Sequence, residues 1–301
     1  MAVIDERYIC GISEKCMTER GATFSGNCSF RVGGEIALCV FPKSADELIF
    51  AVEEAERYGE KYVVLGNMTN ILPPDGIYDG TVIVTSKMRS VTVEGGNFKA
   101  DAGFPLTALS ALTANAGLSG LEFAYGIPGS VGGAVYMNAG AYGGQMADVI
   151  TSVTAYSPRE KKIKVYSNEE CCFGYRESIF RTNGEIILSA EMSFAQGDGE
   201  KILSDCEKNL AARKEKQPLD KPSAGSTFRR PEGHFAGALI EAAGLKGFSV
   251  GGAQVSEKHA GFVINAGGAT SADVSALIAE IKKRVFESSG VMLEEEIIYI
   301  K

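Results

Sequence analysis

Short apolar runs and helix-spaced apolar positions divide the chain into strands and helices. Apolar runs predict strands at 36–41 and 62–65, and strand-like segments follow at 81–85, 91–94 and 98–102. A second group of strands is predicted at 149–156, 162–166 and 186–194, and a final strand at 297–300. The order of strands and helices is mixed and lacks a regular βαβα alternation, which indicates an α+β chain.

Apolar residues at helical spacing predict four helices. The first follows Ser44 as its cap, the second runs from Pro105 to residue 115, the third covers about 200–216, and the fourth follows Ser271 and stops at Gly290. Each long helix should bury one face, and the positions expected on those faces are Leu48, Ala51, Val52 and Ala55; Ile202, Leu203, Cys206 and Leu210; and Val274, Leu277, Ile278, Ile281 and Val285.

The chain is long enough for two domains. At 301 residues it can form two hydrophobic cores, and the polar, glycine-rich stretch at 195–199 predicts a boundary between them. We therefore expect one domain at 1–196 and a second at 197–301.

Composition excludes several classes of protein. A net charge of −8 argues against binding to nucleic acid or to an anionic membrane, and no obligate protein partner is evident. The N-terminus lacks the apolar core of a signal peptide, so we expect a cytoplasmic protein. Seven scattered cysteines and two histidines predict reduced thiols and no metal site.

Residues 126–144 are dense in glycine, with apolar and amide side chains between the glycines. Glycine lets main-chain N–H groups approach a ligand closely, so this segment predicts either a phosphate cradle or a set of tight structural turns. Residues 66–70 form another loop after a strand, which alone is typical of an ordinary turn. Neither loop has the spacing of a Rossmann or P-loop site, but together they favour a cofactor with a diphosphate.

Other polar side chains stand in unusual settings. Arg176 could bind a carboxylate or form a structural ion pair. Ser226, in a turn of small residues, could reach a ligand or simply complete the turn. The carboxylate run 294–296 has two interpretations. Glu294 and Glu296 could share one side of a strand, where either could enter a pocket while Glu295 stays solvated, or all three could be solvated residues at the start of the strand. The densest positive patch surrounds residues 221–228 and comprises Arg213, Lys214, Lys216, Arg229 and Arg230.

Ten segments, in order, resemble the family of UDP-N-acetylenolpyruvoylglucosamine reductases, in its compact form that lacks an extra tyrosine loop. The matching segments are 30–34, 64–67 with Asn70, 126–133, 137–143, 175–180, 216–218, 224–228, 236–241, 256–261 and 293–297. The resemblance implies an α+β fold with a two-lobed FAD-binding domain of the vanillyl-alcohol-oxidase (PCMH) type and a C-terminal α/β substrate-binding domain.

The resemblance also implies site residues, a bound FAD and NADPH as cosubstrate. Cofactor binding is expected at Arg31, Gly66, Asn67, Met68, Thr69, Asn70, Gly126, Ile127, Pro128, Gly129, Ser130, Gly133 and Asn138. Substrate binding is expected at Tyr175, Arg213 and Arg230, and catalysis at Arg176, Ser226 and Glu296.

The implied reaction has two halves. NADPH reduces FAD and leaves, and hydride then passes from flavin N5 to the enolpyruvyl group of UDP-N-acetylglucosamine enolpyruvate, which becomes UDP-N-acetylmuramate for peptidoglycan. Ser226 would donate the proton, while Arg176 and a neutral Glu296, its pKa raised by burial, would stabilise negative charge. The alternatives are another FAD-linked oxidoreductase of the same fold and a non-catalytic protein that binds flavin or nucleotide.

The chain departs from the family pattern at one position of the first loop. The family usually has Gly-Asn-Gly-Ser-Asn, whereas residues 66–70 read Gly-Asn-Met-Thr-Asn. If the replaced glycine requires a positive φ, Met68 is strained, and FAD affinity could be weakened.

Overall fold

The computed structural model describes residues 4–301. Its helices, in chain order, are α1 Glu6–Ser13, α2 Phe24–Asn27, α3 Ala45–Tyr58, α4 Leu106–Asn115, α5 Val131–Tyr136, α6 Gly199–Lys216, α7 Ala236–Ala242 and α8 Ser271–Ser289. Its strands are β1 Met17–Glu19, β2 Ile36–Phe41, β3 Tyr62–Leu65, β4 Ile71–Leu72, β5 Tyr78–Val84, β6 Val91–Glu94, β7 Asn97–Asp101, β8 Leu118–Ser119, β9 Gly140–Ala141, β10 Gly144–Gln145, β11 Ile150–Ser157, β12 Lys162–Ser167, β13 Ile186–Ser193, β14 Ala195–Gln196, β15 Ser223–Ser226, β16 Ser249–Val250, β17 Ala253–Val255, β18 Phe262–Asn265 and β19 Ile298–Tyr299.

The chain forms two compact units, and each contains more than one stretch of sequence. The first unit comprises the chain up to Arg20, Leu38–Asn67 and Asp79–Ala212. The second comprises Gly21–Ala37, Met68–Tyr78 and Arg213–Lys301. The domain boundary after residue 196 remains a prediction.

Two sheets form the framework of the first unit. One has the strand order β1-β2-β5-β3, with β3 parallel to β5. The other is antiparallel, in the order β12-β11-β13-β7-β6. Its core includes Phe98, Leu106 and Val135, so strand β7 and helices α4 and α5 share one hydrophobic cluster. Burial of this cluster fixes the start of α5, where the glycine-rich segment turns into a helix.

The second unit is built on the antiparallel sheet β15-β18-β17-β16. Helix α8 contacts β16 and β17 and buries the predicted face of Val274, Leu277, Ile278, Ile281 and Val285. A separate parallel pair joins β19 to β4. This pair brings the C-terminal segment beside the loop that precedes Ile71.

Most predicted elements are confirmed to within one or two residues, including β2, β3, β6 and the Ser44 cap of α3. The strand predicted at 81–85 begins earlier, at Tyr78, and ends at Val84. Two predictions are wrong. Leu203 is 41% exposed, because only Ile202 and Cys206 of the predicted α6 face pack into a core cluster. Thr270, not Ser271, caps α8, because the Thr270 side chain accepts a hydrogen bond from the backbone N–H of Asp273.

Within residues 4–301, none of the helices is both long and apolar enough to cross a bilayer.

Candidate active site

The two loops predicted to bind a diphosphate meet in the first unit. Gly66 follows β3 directly, and a Cβ on Gly66 would collide with the hydroxyl oxygen of Ser130. A Cβ on Gly133 would lie 3.4 Å from the same oxygen. No side chain fits at residue 66, so glycine allows the two loops to approach each other closely.

Two glycines shape the second of these loops, because they adopt backbone conformations that only glycine tolerates easily. Gly126 has φ +85° and Gly129 has φ +139°, both in a region that L residues rarely adopt. Ser130 then caps α5, its hydroxyl accepting a hydrogen bond from the N–H of Gly133 at 3.3 Å. The residues present therefore fit an extended anionic group such as a diphosphate, which needs a close main-chain approach.

The rest of the first loop lies in the second unit. Met68 has φ +51°, so the condition under which we expected strain at this residue is met. Its side chain is 6% exposed, and its carbonyl accepts a hydrogen bond from the N–H of Ser29 at 3.2 Å. Arg31 also has a positive φ, +54°, and its exposed backbone is held by Asn265, whose side-chain amide donates to the Arg31 carbonyl at 3.1 Å.

Backbone hydrogen bonds of the second unit connect Asn70, Glu296 and the segment that carries Ser226. The Asn70 side chain donates to the Glu296 carbonyl at 3.3 Å, and the Ile298 N–H donates to the Asn70 carbonyl at 3.0 Å. The Glu296 N–H donates to the carbonyl of Thr227 at 2.8 Å. The structure thus joins two predicted site residues, Asn70 and Glu296, by hydrogen bonds to each other and to Thr227, the residue that follows Ser226.

Thr227 anchors this ladder to the sheet. It is 2% exposed, its hydroxyl oxygen accepts from the N–H of Val263, and its own N–H donates to the Gly261 carbonyl. Its neighbour Ser226 is exposed at the end of β15. A rigid anchor beside an exposed hydroxyl is a suitable arrangement for holding a proton donor in place.

The prediction for the carboxylate run is wrong in one respect. Glu294, not Glu295, is the solvated residue, with 75% of its side chain exposed. Glu295 accepts a hydrogen bond from the Lys282 ammonium at 2.7 Å. Partial desolvation, and then a hydrogen bond to the Glu295 carboxylate, raise the pKa of Tyr299. The segment forms a single bridge between Glu295 and Phe228 in place of a regular strand, so simple alternation of faces does not apply.

Arg176 lies at the tip of a tight turn in the first unit. Gly174 and Glu177 exchange backbone hydrogen bonds of 3.1 and 3.2 Å, which leaves Tyr175 and Arg176 between them. Arg176 has φ +58°, and its guanidinium lies 5.1 Å from the centroid of the half-exposed Tyr175 ring. The turn therefore presents an aromatic ring and a cation together, and their roles in substrate binding and catalysis stay predictions.

The positive patch is less uniform than its sequence indicates. Arg213 is 7% exposed and donates to the side-chain oxygen of Gln217 at 3.2 Å. Arg230 is exposed and lies 4.1 Å from the ring centroid of Phe235. Arg229 pairs with Glu294 at 3.9 Å. Arg230 is thus an exposed cation of this patch, whereas Arg213 is mostly buried.

Sequence reasoning missed the side chains that hold the site residues. Thr227 and Ser178 are buried polar residues whose hydroxyls bond to backbone groups far along the chain. Ser178 stands inside a segment that we matched to the family, but no spacing rule predicts its partner. Asn138 was expected near the cofactor, and its side chain is buried and bonded to Gly174.

Comparisons with known proteins agree with this geometry. Residues 217–300 match the family model described as UDP-N-acetylenolpyruvoylglucosamine reductase, C-terminal domain, and residues 36–165 match an FAD binding domain. These matches confirm an FAD-binding domain followed by the C-terminal domain of the reductase family.

Whole-chain relatives extend the likeness. UDP-N-acetylenolpyruvoylglucosamine reductases of Lactobacillus acidophilus and Streptococcus suis are 44% and 46% identical over 267 residues, which is 89% of this chain and 89% and 88% of those proteins. The crystal structure of the reductase of Thermus caldophilus has a TM-score of 0.82 and 35% identity, covering 95% of this chain and 100% of that one. The chain therefore belongs to the UDP-N-acetylenolpyruvoylglucosamine reductase family.

Proposed function

We propose that this chain reduces the enolpyruvyl group of UDP-N-acetylglucosamine enolpyruvate to give UDP-N-acetylmuramate, with bound FAD and with NADPH as reductant. Family membership supports the reaction and the cofactor. The observation that carries the assignment of residues is the ladder through Asn70, Glu296 and Thr227, because it joins a predicted cofactor loop to the predicted acid and to the residue next to the predicted proton donor.

The FAD diphosphate would be held where Gly66 approaches Ser130 and where the main chain turns at Gly126–Ser130. The close approach of the loops leaves no room for a side chain at Gly66. Gly126 and Gly129 have positive φ values, which orient the backbone in a way that other residues rarely adopt. Arg31, Asn67, Thr69 and Gly133 complete the proposed set. When bound, FAD supplies the hydride, from N5, that the reduction consumes.

Three side chains would serve the reduction of the enolpyruvyl double bond. As hydride adds to the terminal carbon, negative charge spreads from the adjoining carbon onto the carboxylate of the substrate. Arg176 would neutralise that charge, since its planar fork matches two carboxylate oxygens. Glu296, as a neutral acid, would donate a hydrogen bond to it, and Ser226 would deliver a proton to the adjoining carbon.

The diphosphate and the sugar of the substrate need contacts of their own. Arg230, an exposed cation, Tyr175, a half-exposed ring, and the mostly buried Arg213 are proposed to supply them. A nucleotide sugar and NADPH as reactants favour a cytoplasmic enzyme, and we propose that location.

An anaerobic spectrum of the purified protein tests the proposal. We expect the visible absorbance of oxidised flavin, its bleaching by NADPH, and its return when UDP-N-acetylglucosamine enolpyruvate is added without oxygen. Bleaching without return, combined with oxygen consumption on alcohols or hydroxy acids, would instead identify another FAD-linked oxidoreductase. Flavin that NADPH does not bleach would indicate a binding protein without this activity.

A further inference from the structure

Three hydrogen bonds from side chains to backbone carbonyls join two segments of the first unit. Ser178 donates from its hydroxyl to the carbonyl of Tyr136 at 2.8 Å. Asn138 donates to the carbonyl of Gly174 at 2.9 Å. Arg176 donates from its guanidinium to the carbonyl of Gly140 at 2.9 Å. Both segments contribute donors, since Asn138 lies in 136–140 and Arg176 and Ser178 lie in 174–178. Neither segment can therefore shift without breaking hydrogen bonds to the other segment.

The Asn138 side chain is fully committed to the protein. It is 1% exposed, and its amide nitrogen donates to the Gln145 side-chain oxygen at 3.0 Å as well as to Gly174. Its amide oxygen accepts from the N–H of Ala147 at 2.9 Å. A primary amide has two N–H donors, and both are used here. This side chain is therefore suited to holding neighbouring segments together.

These bonds converge on the turn that carries Arg176. The Gly174 carbonyl accepts both from Asn138 and from the Glu177 N–H that closes the turn. Ser178, which is 5% exposed, fixes the chain directly after the turn. Arg176 itself has a positive φ, a conformation that costs a non-glycine residue free energy and persists only where its surroundings impose it.

We propose that Asn138 and Ser178 are positioning residues, which hold Arg176 in the conformation that meets the carboxylate of the substrate. This inference depends on the proposed function, because it assigns Arg176 to that carboxylate. A displacement of about 1 Å at a catalytic group can lower a rate by roughly 10²-fold. Loss of either tether therefore slows reduction of the enolpyruvyl group, and loss of the Ser178 tether leaves the reaction of FAD with NADPH unaffected.

The variants Ser178→Ala and Asn138→Ala test the proposal by stopped-flow measurement of both half-reactions. For Ser178→Ala we expect unchanged bleaching by NADPH. For both variants we expect the return of flavin absorbance with the enolpyruvyl sugar nucleotide to slow about 10- to 100-fold. Ser178→Thr, which keeps the hydroxyl, should recover most of the rate. Ser110→Ala is the matched control, because Ser110 is equally buried and donates to the Leu121 carbonyl at the same 2.8 Å.

A double-mutant cycle separates positioning from general stability. If Asn138 acts through Arg176, Asn138→Ala should slow the second half-reaction when Arg176 is present. In a protein that already carries Arg176→Ala, it should lower the rate of that half-reaction little further. Additive losses, or a fall in both half-reactions that follows the melting temperature, would overturn the proposal. Wild-type protein that is not reoxidised by the sugar nucleotide would refute the proposed function, whereas normal rates in both variants would refute only the positioning role.

Discussion

Left-handed backbone at residues other than glycine concentrates in the candidate active site. Within residues 4–301, seven non-glycine residues have positive φ, and four of them are predicted site residues: Arg31, Met68, Asn138 and Arg176. Each such conformation costs about 1–3 kcal/mol, so a fold keeps it where packing imposes it or function requires it. At Asn138 and Arg176 the imposing contacts are the hydrogen bonds between segments 136–140 and 174–178.

Substitution of Met68 should reveal the strain at that residue. Met68→Ala and Met68→Gly both remove the buried side chain, but only glycine adopts φ +51° without a clash of Cβ with the backbone. We expect the glycine variant to be more stable than the alanine variant by about 1 kcal/mol in urea unfolding. At Leu72, which is buried in β4, the alanine variant should instead be more stable than the glycine variant. An alanine variant at 68 as stable as the glycine variant would contradict the assignment of strain.

Loss of the Ser226 hydroxyl should separate the two half-reactions. Ser226→Ala removes the proposed proton donor and leaves the predicted flavin loops intact, so reduction by NADPH should keep its wild-type rate. Reduction of the enolpyruvyl group should slow by about 10²–10⁴-fold, the usual contribution of general acid catalysis. Stopped-flow absorbance measures both steps, with Ser249→Ala, an exposed serine of β16, as control. If Ser226→Ala keeps the wild-type rate in both half-reactions, Ser226 is not part of the mechanism.

At the scale of elements, α8 shows how distant segments complete a helix. The Thr270 hydroxyl oxygen accepts from the Asp273 N–H at 3.0 Å, and the Asp75 carboxylate accepts from the N–H groups of Ser271 and Ala272 at 2.6 and 2.8 Å. Three of the four N–H groups that a helix leaves unpaired at its start are satisfied in this way. The sequence placed the cap one residue too late, at Ser271, and it could not show Asp75, which lies nearly 200 residues away.

The pH dependence of stability should reveal the Asp273 contribution to this cap. Backbone hydrogen bonds from Thr270 and Gly252 lower the pKa of Asp273 from its ordinary value of 3.8. A lowered native pKa means that the stabilisation is present above the pKa of the unfolded chain and is lost as pH falls through the native value. The melting temperature of wild type should therefore exceed that of Asp273→Asn at pH 6, and the difference should shrink below about pH 4. Asp220→Asn, an exposed control, should show no such convergence.

At the scale of the whole molecule, the chain is a flavoenzyme of the UDP-N-acetylenolpyruvoylglucosamine reductase family, folded as an FAD-binding domain and a C-terminal substrate-binding domain. A cofactor that binds only the folded state stabilises it by mass action, by about 2.7 kcal/mol when free ligand is 100 times its dissociation constant.

Removal of FAD should therefore lower the melting temperature, and added FAD should restore it. Riboflavin has the same ring but no diphosphate, so it should restore little at equal concentration if the loops at Gly66 and Gly126–Ser130 hold the diphosphate. Differential scanning calorimetry of the apoprotein with each ligand provides the comparison. Equal stabilisation by riboflavin and FAD would show that these loops do not bind the phosphates.

Local pattern sufficed for much of the secondary structure. Ile36–Phe41, Ala45–Tyr58 and the buried face of α8 follow from periodicity, because burial of one face selects apolar residues at fixed spacing. Periodicity was wrong for Leu203 and for the carboxylate run, because the neighbours that cover or expose a residue are not encoded in its own segment.

The sequence by itself determined the element types, the glycine-rich loops and the family, since each of these depends on residues that are adjacent or evenly spaced. Only the tertiary structure decided that Gly66 meets Ser130, that Asn70 is bonded to Glu296, and that Asn138 and Ser178 hold the turn of Arg176. These contacts join residues far apart in the chain. Hydrogen bonds of about 3 Å tolerate little error in position, so they exist only once the packed core has fixed both partners.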